Sequence, residues 1–172
     1  MDQGSAASMR NLGAWLGFSV VLVVLDQITK IVIQRTLLEG QSIDVLPPAI
    51  TLVLAYNPGA AFSFLASGSG WQRYFFLAIA LVASALIIYM MTKHRTDRFL
   101  CFALALVLGG AVGNLIDRAV YGKVVDFVLV RWPGGPSVFD PWPAFNVADS
   151  CITIGAALLI WDSFRRPRVK TS

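Results

Sequence analysis

The chain has 172 residues, of which 56% are apolar and only 14% charged, with a formal net charge of +4. A soluble domain carries about 25% charged residues, and one small core cannot hide this much apolar surface, so composition excludes an ordinary soluble domain and makes a bilayer the natural solvent. The basic residues sit beside apolar runs rather than in a stripe interleaved with aromatics, which excludes a nucleic-acid partner.

Residues 1–11 are polar and are expected to form a short disordered tail. An apolar run follows at 12–25. No small-x-small cleavage site follows it, and Asp26 and Lys30 continue the helical pattern. It is therefore read as a retained helix reaching about residue 33, not a cleaved leader. The connection 34–70 is long. Its middle, 50–56, is rich in β-formers and ends at Asn57-Pro58-Gly59, which predicts a strand or small sheet lying on the membrane surface. Pro58 biases Asn57 towards an extended backbone.

The clearest apolar run is 71–91. A third covers 99–118 and a fourth 146–164. Spanning the hydrocarbon core takes about 20 residues, and runs one, three and four reach that length only if their polar ends, 26–30, 114–118 and 146–150, are included. Between runs three and four, 124–130 is a second strand candidate, and the proline-rich segments 132–136 and 141–143 exclude regular helix there. The tryptophans of this connection suit an interfacial belt.

Lys93, Arg95 and Arg98, the tail residues Arg165, Arg166, Arg168 and Lys170, and Arg10 all fall on one side of a four-span topology. The positive-inside bias makes that side cytoplasmic, against a smaller set (Arg35, Arg73, Lys123 and Arg131) on the other. All three polar helix ends then meet at the outer face. Cys101 and Cys151 fall near opposite faces, too far apart to form a disulfide. A single histidine, His94, leaves a metal centre or a Ser-His-Asp triad without parts.

Ionisable groups at membrane depth point to function. Asp126 stands in an otherwise apolar strand-like run, and Asp149 stands at the start of the fourth helix. Two neighbouring carboxylates titrate apart, so one can act as base towards water while the other acts as acid. Spacing leaves the plainer alternative equally open: Asp149 with Asn146 as a helix cap, and Asp126 as an exposed loop residue. Asn114 and Arg118 share a helix face at i,i+4, with Gly110 one turn below Asn114. Gly109 and Gly113 form a G-x-x-x-G packing face. Arg118 could orient a carboxylate, bind a lipid phosphate or simply anchor the headgroup region. Asp117 is expected to face water. Asp26 and Lys30, also i,i+4, are read as a structural ion pair.

Five segments carry a family resemblance: Asp26-Gln27-Ile28-Thr29-Lys30, Asn57-Pro58-Gly59-Ala60-Ala61-Phe62, residues 109–118 (GGAVGNLIDR), Val124-Val125-Asp126-Phe127 and Phe145-Asn146-Val147-Ala148-Asp149-Ser150. Together, in this order on a four-helix chain, they resemble the lipoprotein signal peptidases (signal peptidase II), membrane aspartic peptidases of bacteria. The resemblance implies one integral membrane domain over 1–172, with a basic cytoplasmic tail at 165–172. It implies a mainly α membrane fold: four transmembrane helices, a small periplasmic β-cradle in connection one and a short periplasmic helix in connection three. It also implies that Asp126 and Asp149 are the catalytic dyad, that Asn57, Gly110, Asn114, Arg118 and Asn146 line the site, and that Asp26 and Lys30 support it. The implied substrate is a prolipoprotein whose cysteine carries diacylglycerol, cut on the N-terminal side of that cysteine. The implied location is the bacterial inner membrane, with both termini cytoplasmic and the site towards the periplasm. Membrane lipid is the other partner, no metal or organic cofactor is implied, and a monomer is expected. The connection 128–145 is long and proline-rich, which predicts a changed surface loop. The helix macrodipole at residue 149 favours a carboxylate, so Asp149 is expected to be the ionised partner at rest.

Two other classes fit the composition. A proton-coupled transporter would place its acids nearer the midplane, within repeated halves, whereas these acids cluster at one face and no repeat is visible. A membrane scaffold would need no opposed carboxylates.

Overall fold

The computed structural model describes residues 3–59, 70–134, 136 and 140–165. It orders the chain as α1 (Gln3–Thr36), β1 (Ser42–Leu46), β2 (Ile50–Asn57), α2 (Trp71–Lys93), α3 (Arg98–Tyr121), β3 (Val124–Val130) and α4 (Val147–Arg165). Asn11–Thr36 of α1, together with α2, α3 and α4, are long and apolar enough to cross a membrane.

The four spans expected from the sequence are present. One difference is that α1 begins at Gln3, so the segment expected as a disordered tail is helix. Ala, Gln, Met and Arg are good helix formers, and a helix already nucleated by a long span extends through them at little cost. The Ala60-Ala61-Phe62 part of the second segment lies outside the described residues, as do the tail arginines beyond 165.

α3 is the central helix. It packs on α1, α2 and α4, and Cys101, Ala103, Leu104, Ala105, Leu106 and Leu108 are buried along it. The outer helices instead expose large apolar side chains, among them Val20, Val21 and Val24 of α1 and Leu81, Val82 and Leu86 of α2. Such surfaces are stable only against hydrocarbon. Small residues bring the helices close. A Cβ on Gly109 would stand 2.8 Å from Leu22 Cβ, and one on Gly155 would stand 2.6 Å from Val107 Cγ2.

The strands form one antiparallel sheet in the order β1-β2-β3 at one end of the bundle. The sheet therefore draws on both long connections, where the sequence placed the cradle in the first alone. Ile33 of α1 and Leu37, just beyond its end, pack under it against Leu54, Val125 and Phe127. The described residues of connection three form β3, turns and an extended return; the short helix expected there is not among them, and 135 and 137–139 lie outside the description.

Two local devices set the site. Gly122, at φ 74, closes α3 in the left-handed conformation, the usual glycine stop, and so β3 starts at once. At the far end of the return, Phe145 bonds back to β3: Phe127 N and Val128 N donate to Phe145 O at 3.0 and 2.8 Å, and Phe145 N donates to Val128 O at 3.0 Å. The start of α4 is thereby fixed beside Asp126.

Candidate active site

Asn146, fully buried, holds the centre. It is the residue before α4, and its side-chain Oδ1 accepts from Asp149 N at 2.8 Å, while its own backbone N donates to Asp149 Oδ2 at 3.3 Å. This reciprocal pair is a capping box with Asn and Asp in the roles usually taken by Ser/Thr and Glu. The plainer reading of Asp149 is thus true, yet it consumes only one carboxylate oxygen. The other, Oδ1, accepts from Asn114 Nδ2 at 2.7 Å.

The same Asn146 side chain donates through Nδ2 to Asp126 Oδ1 at 2.8 Å, to Asn114 Oδ1 at 3.2 Å and to Val125 O at 3.2 Å. One asparagine therefore joins both aspartates. Asp126 is 3% exposed, not an exposed loop residue. Its carboxyl is pushed up to about 7, chiefly by burial and further by the charge of Asp149; hydrogen bonds from Asn57 and Asn146 and the charge of Lys30 pull the other way. Asn57 lies at the end of β2 in the extended conformation expected before Pro58. It accepts from Gly59 N at 3.0 Å as its side chain reaches Asp126.

A groove of ≈ 770 Å³ opens over these groups, lined in part by Asn57, Asn114, Arg118, Asp126 and Asp149. Arg118 donates to Gly59 O at 3.0 Å and to its own helix at Asn114 O, 3.4 Å, and its guanidinium lies 5.1 Å from the centre of the Phe76 ring. It is a wall of the groove, held by the turn after β2.

Behind the groove lies a second polar cluster, closed to solvent. Lys30 Nζ sits 2.7 Å from Asp26 Oδ2, 2.8 Å from Asp117 Oδ2 and 3.0 Å from Asn114 Oδ1. Asp117 is 1% exposed, so the expectation that it faces water is wrong. It also accepts from Val125 N at 3.1 Å and so ties α3 to the residue before Asp126. Asp26 Oδ1 accepts from Ala148 N at 2.9 Å and satisfies one of the orphan amides of the first turn of α4. Gln27 Nε2 reaches both carboxylates. Four elements are thus held by one lysine and two acids, and among the described residues it is Asn114 whose side chain bonds both to this cluster and to the aspartate pair at the groove.

Gly110 is a helix contact: an added Cβ would collide with the carbonyl oxygen of Ala148 and come 2.7 Å from Ile152 Cγ1. It is the place where α3 touches the first turn of α4. Gly113 has the matching role against α1, where a Cβ would stand 2.6 Å from Asp26 Oδ2. Residues 109, 113 and 117 follow one another at i,i+4 on α3. Asp117 thus continues the very stripe that the glycines mark as a packing face, the signal that could have predicted its burial.

Comparison with known proteins agrees with this architecture. Residues 18–165 match the family model described as Signal peptidase (SPase) II. A relative named lipoprotein signal peptidase from Janthinobacterium sp. (strain Marseille) is 52% identical over 160 residues, covering 93% of each chain. One of the same name from Cupriavidus necator is 53% identical over 156 residues, covering 90% of this chain and 85% of the relative. A solved structure described as a bacterial membrane enzyme, determined in meso at 2.3 Å resolution, superposes with a TM-score of 0.77 at 33% identity, over 93% of this chain and 95% of the other.

Proposed function

The chain belongs to the signal peptidase II family, peptidases of bacterial membranes, and from that premise we propose that it is an aspartic endopeptidase removing signal peptides from diacylglyceryl-modified prolipoproteins. The cut falls on the N-terminal side of the lipidated cysteine. The sheet end of the bundle, with the groove, faces the periplasm, and both chain termini lie in the cytoplasm. The observation that carries the mechanism is the double use of Asn146, whose side chain donates to Asp126 while its backbone donates to Asp149.

Two carboxylates joined through a neutral amide, with no cation in direct contact with either among the described residues, compete for a proton. Asp126, whose carboxyl is raised to about 7, holds it at rest. Asp149 carries the charge, favoured by the N-terminus of α4 and by two N–H donors. Asp149 takes a proton from the attacking water, and Asp126 donates one to the scissile carbonyl oxygen, giving a tetrahedral intermediate without a covalent enzyme adduct. Collapse expels the cysteine amine, which takes the proton held by Asp149, while a hydroxyl of the intermediate returns one to Asp126 and becomes the new carboxyl. Acyl chains lying in the bilayer beside the site add binding energy at about 0.8 kcal/mol per buried CH₂, so recognition leans on lipid more than on peptide sequence.

The test is cleavage of a diacylglyceryl-modified prolipoprotein in detergent, read by gel shift, for the parent, Asp126→Asn and Asp149→Asn, with folding of each checked by thermal unfolding. Loss of at least about a thousandfold in both folded variants is expected, the scale on which losing an acid–base partner is felt. Cleavage by either folded variant at the parent's rate would refute the dyad.

A further inference from the structure

The groove does not stop at the two aspartates. It runs on along α4, where Ser150, Ile152, Thr153 and Ile154 line it. Thr153 is one turn beyond Asp149 on the same face, about 6 Å further from the sheet end of the helix. Thr153 and Ile154 are exposed on a helix that crosses the membrane, so this part of the groove opens sideways into hydrocarbon.

A hydroxyl in that setting ordinarily bonds to its own helix. Ser19, Thr29, Thr36, Thr92, Ser150 and Ser163 all donate to a backbone carbonyl three or four residues earlier. Among the described residues Thr153 makes no such bond, and its side chain lines the groove instead. Ser84 also lacks a partner, but its hydroxyl oxygen is closed off from the surface.

We infer that Thr153 is a specificity-determining residue whose hydroxyl donates a hydrogen bond to an ester carbonyl of the substrate's glyceryl lipid. The inference rests on the reading that the substrate carries a diacylglyceryl cysteine. In such a substrate the ester carbonyls follow the cysteine sulphur by a few bonds. They are acceptors without donors and the last polar groups before the acyl chains. With the scissile bond at Asp126 and Asp149, a thioether-linked glycerol running down α4 brings those carbonyls to the level of Thr153 and lays the first methylenes on Ile152 and Ile154. Bilayer phospholipid offers the same ester chemistry, and the experiment separates the two sources.

Parent and Thr153→Val would be assayed in phospholipid-free detergent on lipopeptides of one sequence. One lipopeptide bears diacyl esters and a second bears dialkyl ethers of equal length, which lack the carbonyl; a third is unlipidated. The variant is expected to raise KM about fivefold on the ester substrate with kcat unchanged, the scale of one neutral hydrogen bond. The ether should cost the parent the same factor and the variant nothing more, and Thr153→Ser should restore the parent's KM. Equal losses on ester and ether, no loss at all, or a loss seen only when phospholipid is added would overturn the assignment. If the parent cleaves the unlipidated peptide as well as the ester, the lipid-dependent reading of function falls, and this inference falls with it.

Discussion

Two pairs of aspartates lie on either side of Asn114, and they differ in what stands between them. Asp26 and Asp117 share Lys30, at 2.7 and 2.8 Å. Asp126 and Asp149 share Asn146. A lysine neutralises and orders the acids around it. An asparagine amide orders them as well but leaves their charges opposed. The first pair is sealed at 1% exposure, while the second lines a groove open to substrate. The same side chain is thus a brace in one place and, in the mechanism we propose, a proton-transfer group in the other, decided by the partner and by access.

The largest effect expected is the loss of cleavage by at least about a thousandfold in Asp126→Asn and Asp149→Asn, with folding retained. The opposite signature is expected on the braced side. Lys30→Met leaves two carboxylates buried without their cation, which costs about 3–5 kcal/mol, read as a fall in thermal stability in detergent. If Lys30→Met were as stable as the parent, the lysine would not be the brace that its geometry describes.

Next in size is a pH effect confined to the groove side. Asp126 has a carboxyl near 7 in the folded chain, against 3.8 for an ordinary aspartate. The folded state therefore holds a proton that the unfolded state has lost, and stability falls as pH rises from about 4 to about 7, then levels off. Asp126→Asn cannot ionise, so it should gain stability over the parent at pH 8, on the order of 4 kcal/mol, and be neutral at pH 4. A gain that does not change with pH would show that Asp126 is not held protonated. In the parent, cleavage should decline above about pH 7 as the resting proton is lost.

Most of this division was legible in the residues, with clear limits. The spans could be found because their polar ends were counted as helix, which also brought Asp26, Lys30, Asn114, Arg118 and Asn146 to one face. Strand 124–130 appeared at its true bounds because apolar residues, interrupted by Asp126 alone, run between Gly122-Lys123 and Arg131. Its pairing with β2 did not, since hydropathy carries no information on which strands meet. β1 escaped because it is only five residues long and all five are exposed, so the alternation of Ser42-Ile43-Asp44-Val45 marks no buried face. Asp117 was misread because it was judged by its position at a helix end rather than by its phase with Gly109 and Gly113.

The smallest effect offers the sharpest test of the separation. Gln27 Nε2 lies 2.9 Å from Asp117 Oδ1, 3.2 Å from Asp26 Oδ2 and 3.2 Å from Gly113 O. An amide nitrogen has two hydrogens, so the shortest contact, to Asp117, dominates. Gln27→Leu removes that donor from Asp117 Oδ1 but leaves Lys30 and Val125 N on Oδ2. The strand amide before Asp126 therefore keeps its anchor, and Asn114 keeps both of its sides. A loss of about 1–2 kcal/mol in thermal stability is expected, with kcat within about twofold of the parent. A tenfold fall in kcat without loss of stability would mean that the brace tunes the groove's aspartates directly, and the two pairs would then have to be treated as one coupled set of four.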